Sequence, residues 1–161
     1  MKYRRLTQDE LQELEPEFVR FLASNQITAA DWQKLKEESP EKVKSVIELF
    51  SDIVFDKVIR KVKYLDHIEP RVIRTFHCKE DHILMFGVQV EGKTELDFSQ
   101  NTDPQALLMQ MQLSGAQLKL FQAEKGYKES REEELFRMME NGCLISRDGK
   151  LFKTLSSMAP K

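Results

Sequence analysis

Residues 71–99 read RVIRTFHCKEDHILMFGVQVEGKTELDFS, and this stretch decides the fold class. Three runs, RVIRTFHC, HILMFGVQV and TELDFS, are rich in β-branched and aromatic residues, and the short polar breaks KED and EGK separate them. Such runs predict three strands of a small antiparallel β-meander. Helical patterns precede and follow the meander. Because helices and strands are segregated along the chain, the sequence predicts an α+β fold and not an alternating α/β fold.

The chain before the meander carries signals for helix starts. Thr7 with Glu10 fits a capping box, in which each side chain accepts a hydrogen bond from the other residue's backbone N–H. Pro16 lies inside the apolar pattern that follows and predicts a bend of the first helix close to that residue. Thr28 with Asp31 repeats the capping signal and predicts a second, short helix.

A third helix is predicted to start at Ser39-Pro40, where serine caps the first turn and proline presets it. Apolar residues then recur in steps of three and four from Val43 to Val62, in a stripe wide enough for a helix that crosses the core. The helix should end near Val62. Its last part, KVIRKVKYL, is rich in β-branched residues and also fits a strand.

The chain after the meander predicts two further helices and a C-terminal β-hairpin. Asp103-Pro104 should begin a helix that runs to about Lys125, and SREE at 130–133 should begin another. Asp148-Gly149 is a tight-turn dipeptide, which predicts that CLIS pairs with KLFKTL. With 161 residues, the chain is long enough for one sizeable core, and we expect a single domain over residues 1–161.

The segment HCKEDH places two imidazoles and a thiol within six residues. If Cys78 pairs with Asp81 across a two-residue turn, His77 and His82 become direct cross-strand neighbours on one face. The pair could then bind a transition metal, in a metal-binding protein or a metal-dependent enzyme, provided that a further ligand such as His67 or Asp66 arrives from elsewhere. The alternative is a solvated turn with incidental histidines, and the sequence favours it because the remaining ligands are missing.

The charge balance gives little support to a nucleic-acid or membrane partner. Lys and Arg number 25 against 27 Asp and Glu, for a formal net charge of -2. The best nucleic-acid candidate is a basic cluster diluted by acidic residues, which fits a solvated surface better than a binding site. Its residues are Arg60, Lys61, Lys63, Arg71 and Arg74.

The predicted helix from Pro104 has an unusual composition. Residues 104–118 carry no charge, although 32% of the chain is charged. Two apolar stripes with a glycine between them predict either a central core helix or a homodimer interface, and a methionine-rich peptide-binding groove is a third possibility. The predicted interface residues are Met109, Met111, Leu113, Gly115, Ala116 and Leu120.

Several classes of protein are disfavoured. Two cysteines are too few for a disulfide framework, no apolar stretch near the start fits a secretion signal, and no run is long and apolar enough to span a bilayer. These features predict a soluble, cytoplasmic protein. No P-loop, GxGxxG or HExxH motif is present, so we expect no cofactor and no catalytic residues, and a non-enzymatic protein is favoured.

Three stretches together, MKYRRLT, FSDIVFDKVIRKVKYL and DGKLFKTL, resemble a family of short bacterial proteins of unknown function. The resemblance covers most of the chain. It implies a bacterial, cytoplasmic, single-domain protein with no assigned activity. Together with the uncharged helix, it leads us to expect a non-catalytic association module that forms a homodimer.

Overall fold

The computed structural model describes residues 2–92, 94–100 and 103–158, and it divides the chain into two compact units. We call Met1–Arg60 the helical unit and Lys61–Lys161 the sheet unit. Helices and one antiparallel sheet occupy separate stretches, so the predicted α+β class is confirmed. The expectation of a single domain stays a prediction.

The helices of the helical unit begin where their caps predict. Thr7 and Thr28 each close a capping box, with Glu10 and with Asp31. The predicted bend is confirmed as a break between two helices, the second of which has Pro16 in its first turn. These helices are α1 (Gln8–Glu13), α2 (Glu15–Ser24), α3 (Ala29–Glu38) and α4 (Pro40–Lys61).

The long helix α4 ends beside Val62, as predicted, and has 22 residues. Neither α4 nor another helix in the described part of the chain is both long and apolar enough to cross a membrane. The Asp52 carboxylate on α4 anchors the N-terminal segment, because it accepts hydrogen bonds from the backbone N–H groups of Lys2 and Tyr3 at 2.8 and 3.0 Å. The N–H of Leu6 donates to the Ser51 hydroxyl at 2.9 Å.

The sheet unit is built on a five-stranded antiparallel sheet with the order β4-β3-β2-β1-β5. The strand after α4, Tyr64–Ile68, lies next to the edge of the sheet. The strands are β1 (Tyr64–Ile68), β2 (Val72–Cys78), β3 (His82–Glu91), β4 (Gln117–Gly126) and β5 (Leu144–Ser146).

The first two strands of the predicted meander are confirmed as β2 and β3, but the third is wrong. TELDFS holds no strand in its described residues and ends in a short 3-10 helix, Phe98–Gln100. Leu96 and Phe98 of this segment are buried, at 6% and 0% exposure, so its apolar residues fill the core from a connecting segment. The N–H of Phe98 donates to the carbonyl of Pro70 at 2.9 Å, outside the sheet.

The predicted helix to Lys125 is also wrong in its second half. Helix α5 (Pro104–Leu113) ends at Ser114, and Gly115 follows with φ +65°, the left-handed conformation that glycine adopts most easily after a helix. The chain then enters β4, in which Leu118 and Leu120 alternate with polar residues. This alternation has the period of a strand, and all ten residues of β4 pair with β3.

The predicted C-terminal β-hairpin is wrong, because its second half forms a helix. β5 pairs with β1, and the turn after it leads into helix α7 (Lys150–Met158). Leu151, Phe152 and Leu155 are buried at helical spacing, which a strand could not achieve on one face. Helix α6 (Arg131–Glu140) is capped by Ser130, so the helix predicted at SREE is confirmed.

One face of the sheet carries the core of the sheet unit. Helices α5 and α7 and the segment after β3 contribute to this core, whose buried members are close to fully enclosed. They are Ile73, Val88, Val90, Leu96, Phe98, Leu107, Met111, Leu151 and Leu155.

Candidate functional site

The residues predicted as an interface divide into an exposed pair and a packed group. Met109 and Leu113 lie one turn apart on α5 and are 53% and 81% exposed. Met111 is buried in the core, and the half-buried Ala116 and Leu120 pack against the same core. The uncharged composition of this segment therefore has two causes, one face that enters the core and one apolar pair that faces outward.

The exposed pair shortly precedes, along the chain, a strand that forms a free sheet edge. β4 is ten residues long and ends the sheet on one side, whereas the other edge is the three-residue β5. A sheet edge carries backbone donors and acceptors without partners, so it is a site where another strand can add. Within the described residues, no strand pairs with the outer side of β4.

The hydrogen-bond pattern identifies the backbone groups that point outward. The N–H of Val90 donates to the carbonyl of Arg71 at 2.9 Å, so even-numbered residues of β3 bond toward β2. Because the direction alternates along a strand, the odd-numbered residues of β3 bond to odd-numbered residues of β4. The outward backbone groups of β4 are therefore those of Leu118, Leu120, Gln122, Glu124 and Gly126.

The hairpin tip HCKEDH has a different register from the predicted one. Cys78 pairs with Ile83 rather than with Asp81, because the turn forms one residue later, at the dipeptide ED. A backbone hydrogen bond of 3.0 Å closes that turn. The shift is an even number of residues, so His77 and His82 still share a face, but as diagonal neighbours and not as a direct pair.

The third predicted metal ligand lies elsewhere. His67 is on the opposite face of the sheet from His77, since Tyr64 pairs with His77 and His67 is three positions, an odd number, after Tyr64. Its Nδ1 is 3.6 Å from Oε1 of Glu69. In residues 2–92, 94–100 and 103–158, no group of three or more histidine, cysteine or acidic side chains could hold a metal ion. Metal binding by His77 and His82 stays a prediction that lacks its third ligand.

The basic residues do not form one patch within the sheet unit. The carbonyl of Lys63 accepts from Cys78 at one end of β2, whereas Arg71 precedes the other end of that strand. Arg71 donates to the carbonyl of Gly92 at 2.5 Å. Arg74 lies 3.7 Å from a Glu69 carboxylate. The other two predicted residues are Arg60 and Lys61, which are exposed at the end of α4.

Neither cysteine has the environment of a nucleophile. Burial raises the pKa of the Cys78 thiol to about 12 and that of the Cys143 thiol to about 11. Both side chains are thiols at neutral pH, and a catalytic cysteine needs the thiolate. This geometry agrees with a buried packing role for Cys78.

Sequence reasoning missed an open apolar groove in the helical unit. Its volume is about 920 Å³, and all four helices of the unit contribute to its walls. Val43 and Ile47 in its walls belong to the stripe that the sequence predicted to cross the core, and no local signal separates a buried stripe from a half-open one. The apolar lining residues are Leu6, Leu11, Phe18, Val19, Leu22, Trp32, Val43 and Ile47.

Aromatic rings form the framework behind this groove. Phe18 packs edge-on against Trp32 with ring centroids 5.3 Å apart, and the centroids of the Phe18 and Phe50 rings are 4.9 Å apart. Phe21 is 5.2 Å from the same Phe50 ring. Phe50 is 3% exposed, so it fixes the positions of the rings that are half-open to the groove.

Comparison with protein families matches residues 1–160 to a family of unknown function (DUF6495). The chain belongs to this family, which confirms the predicted resemblance to proteins without an assigned activity. Neither a curated protein nor a solved structure matches the chain.

Proposed function

From that membership, which assigns no activity, we propose that the chain is a non-catalytic, cytoplasmic association module that forms a homodimer through β4. The outer edge of β4 is the observation that carries the proposal, because ten residues of strand end the sheet there. Addition of a strand to an exposed edge is an established mode of protein recognition, in which main-chain hydrogen bonds supply affinity. A second copy supplies a strand of the same length, so the two edges match.

The charges on β4 favour one of two neighbouring antiparallel registers. In a register where Gln122 pairs with Gln122 of the second copy, Lys119 would lie directly opposite Lys125 of that copy, and like charges directly opposite are destabilising. In the register where Phe121 pairs with Phe121 of the second copy, Lys119 lies opposite Ala123. The proposed register is therefore centred on Phe121, whose ring lies over Gly87 of β3.

The exposed end of α5, shortly before β4 in the chain, offers apolar area for a contact. Leu113 is 81% exposed and lies four residues before the first residue of β4. Met109 is on the same side of the helix, one turn earlier, and is 53% exposed. A large apolar side chain that folding leaves in water is stabilised when association buries it. The opposite edge, β5, is a weaker candidate because it has three residues.

Proline at Gln122 tests the edge directly. The N–H of Gln122 points outward, so Gln122→Pro removes a donor of the proposed dimer without removing a hydrogen bond to β3. We expect the wild-type chain to be a dimer by native mass spectrometry and light scattering, and Gln122→Pro to be a folded monomer by circular dichroism. Gln122→Thr is the matched control, because it keeps the outward N–H and suits a strand.

The apolar pair supplies a second variant. Leu113→Glu changes an exposed side chain and should leave the fold intact while it weakens the dimer. A wild-type chain that is monomeric at all concentrations tested would overturn the proposal. So would a Gln122→Pro variant that stays dimeric.

A further inference from the structure

The groove of the helical unit is a second surface, independent of the sheet edge. Its volume of about 920 Å³ lies within the range of about 300–1,000 Å³ that is typical of ligand sites. Val19 lies in its wall and is 55% exposed. Apolar side chains from all four helices line it, and an apolar groove between helices can accept the apolar face of another helix.

The polar lining gives the groove a positive excess. Arg5 and Lys36 are cations of the rim, Glu15 is its one anion, and Gln8 and Gln12 are neutral. Within the described residues, the side chains of Arg5, Lys36 and Glu15 make no ion pair. The neighbouring cation Arg4, in contrast, forms an ion pair with Glu10 at 2.8 Å. The two free cations are therefore available to a carboxylate that arrives with a ligand.

We propose that this groove binds an amphipathic α-helix of a partner protein, with acidic residues flanking the apolar face of that helix. The apolar anchors of such a helix recur at three- and four-residue steps and contact the Phe18, Val19 and Trp32 walls. Its flanking carboxylates face Arg5 and Lys36. This surface goes beyond the homodimer edge, because its partner is a different protein and its residues belong to the helical unit.

The separated cations favour a helix over a single acyl chain. The walls of the groove come from all four helices and the segment before α1, and its cations lie on two different elements, Arg5 before α1 and Lys36 on α3. A fatty acid carries one carboxylate and would pair with one of the two cations. A helix presents several apolar anchors and several flanking charges at once, so it can contact walls from several helices and pair with both cations.

The chain contains its own reporter of occupancy. Trp32 is the one tryptophan of the sequence, and it lines the groove. A ligand that displaces water from the indole should shift its emission to shorter wavelength. The probe is a synthetic peptide of about 15 residues, long enough for partial helicity, with leucines at helical spacing and glutamates on the flanks.

A matched second peptide keeps the leucines and replaces every flanking glutamate with lysine. We expect the glutamate peptide to shift the Trp32 emission and to bind about fivefold more tightly at low salt than the lysine peptide. The double variant Arg5→Glu with Lys36→Glu should reverse this preference. Such a reversal distinguishes recognition of charge from general adhesion to an apolar surface.

Two single variants test the location. Val19→Glu places a charge in the groove wall at an exposed position and should weaken the glutamate peptide by at least about tenfold. Leu49→Glu is the control, because Leu49 is 53% exposed on α4 and does not line the groove. It should leave the peptide affinity unchanged, and circular dichroism should show that both variants fold.

Three outcomes would overturn the proposal. The first is that neither peptide shifts the Trp32 emission. The second is equal binding of the two peptides, with no response to the Arg5 and Lys36 substitutions. The third is that sodium laurate shifts the emission while the glutamate peptide does not, which would assign the groove to an acyl chain.

Discussion

The two units of the chain bury their apolar side chains to different extents. In the sheet unit, side chains such as Ile73, Phe98 and Leu107 are fully buried. In the helical unit, Phe18 and Trp32 stay half-open to a groove. A sheet face covered by two helices encloses its residues, whereas helices as short as α1, with 6 residues, leave gaps between them. A sheet with a free strand edge and a groove between short helices therefore occur in one chain.

The largest expected effect tests this difference in packing. Phe98→Ala should lower the free energy of unfolding by about 3–5 kcal/mol, because it leaves a cavity in an enclosed core. Phe18→Ala should cost about 1–2 kcal/mol, because part of this ring already faces solvent. Urea unfolding of both variants measures the two costs. Equal costs would remove the distinction between the units.

A smaller effect concerns a close approach within the sheet unit. Gly149 has φ +64°, and a Cβ atom there would lie 2.6 Å from the Tyr64 ring. Gly149→Ala should lower the free energy of unfolding by about 3 kcal/mol, from backbone strain and from displacement of the ring. The control is Gly92→Ala, whose φ is +77° but whose Cβ would have no described atom within 4 Å. It should cost about 1 kcal/mol, and a similar cost for both variants would remove the steric part of the argument.

The smallest expected effect comes from a flaw in the packing of the sheet unit. Asp66 is 6% exposed, and its Oδ1 has no hydrogen-bond partner in the described residues. Burial, and then the charge of Asp148, raises the pKa of Asp66 from 3.8 to about 6. The folded state therefore binds this proton more tightly than the unfolded state does. Its ionisation costs stability as the pH rises from 3.8 to about 6.

Asp66→Asn should remove that cost and raise the free energy of unfolding at neutral pH by about 2 kcal/mol. The gain over wild type should shrink as the pH falls from about 6 toward 3.8, because the folded-state carboxyl becomes protonated first, and it should vanish below 3.8, where the wild-type carboxyl is protonated in both states. Chemical unfolding of both proteins across this pH range measures the difference. A gain that is independent of pH would show that ionisation of Asp66 is not the cause.

Local signals in the sequence predicted the helix starts well. The capping boxes at Thr7 and Thr28 and the break beside Pro16 depend on residues within one turn of each other, so the sequence contains the whole interaction. The two strands that HCKEDH joins were predicted from their own runs of β-branched and aromatic residues, which are also a local signal. The register between them was not, because it depends on which dipeptide takes the turn.

The role of the predicted interface residues stays a prediction. Met109 and Leu113 are exposed, whereas Met111 belongs to the core. The free edge of β4 was not predicted, because we expected the segment that forms β4 to continue a helix. The groove was not predicted, because its openness depends on how four helices pack and not on the pattern of any one of them.

The sequence by itself determined the fold class, the starts of the capped helices and the paired strands β2 and β3. These features follow from hydrogen bonds and periodicities between near neighbours. The tertiary structure decided that residues 117–126 form a strand and that KLFKTL forms a helix. An apolar segment of mixed pattern takes the conformation that its distant partners stabilise: β3 pairs with the first segment, and the core encloses Leu151 and Leu155 of the second.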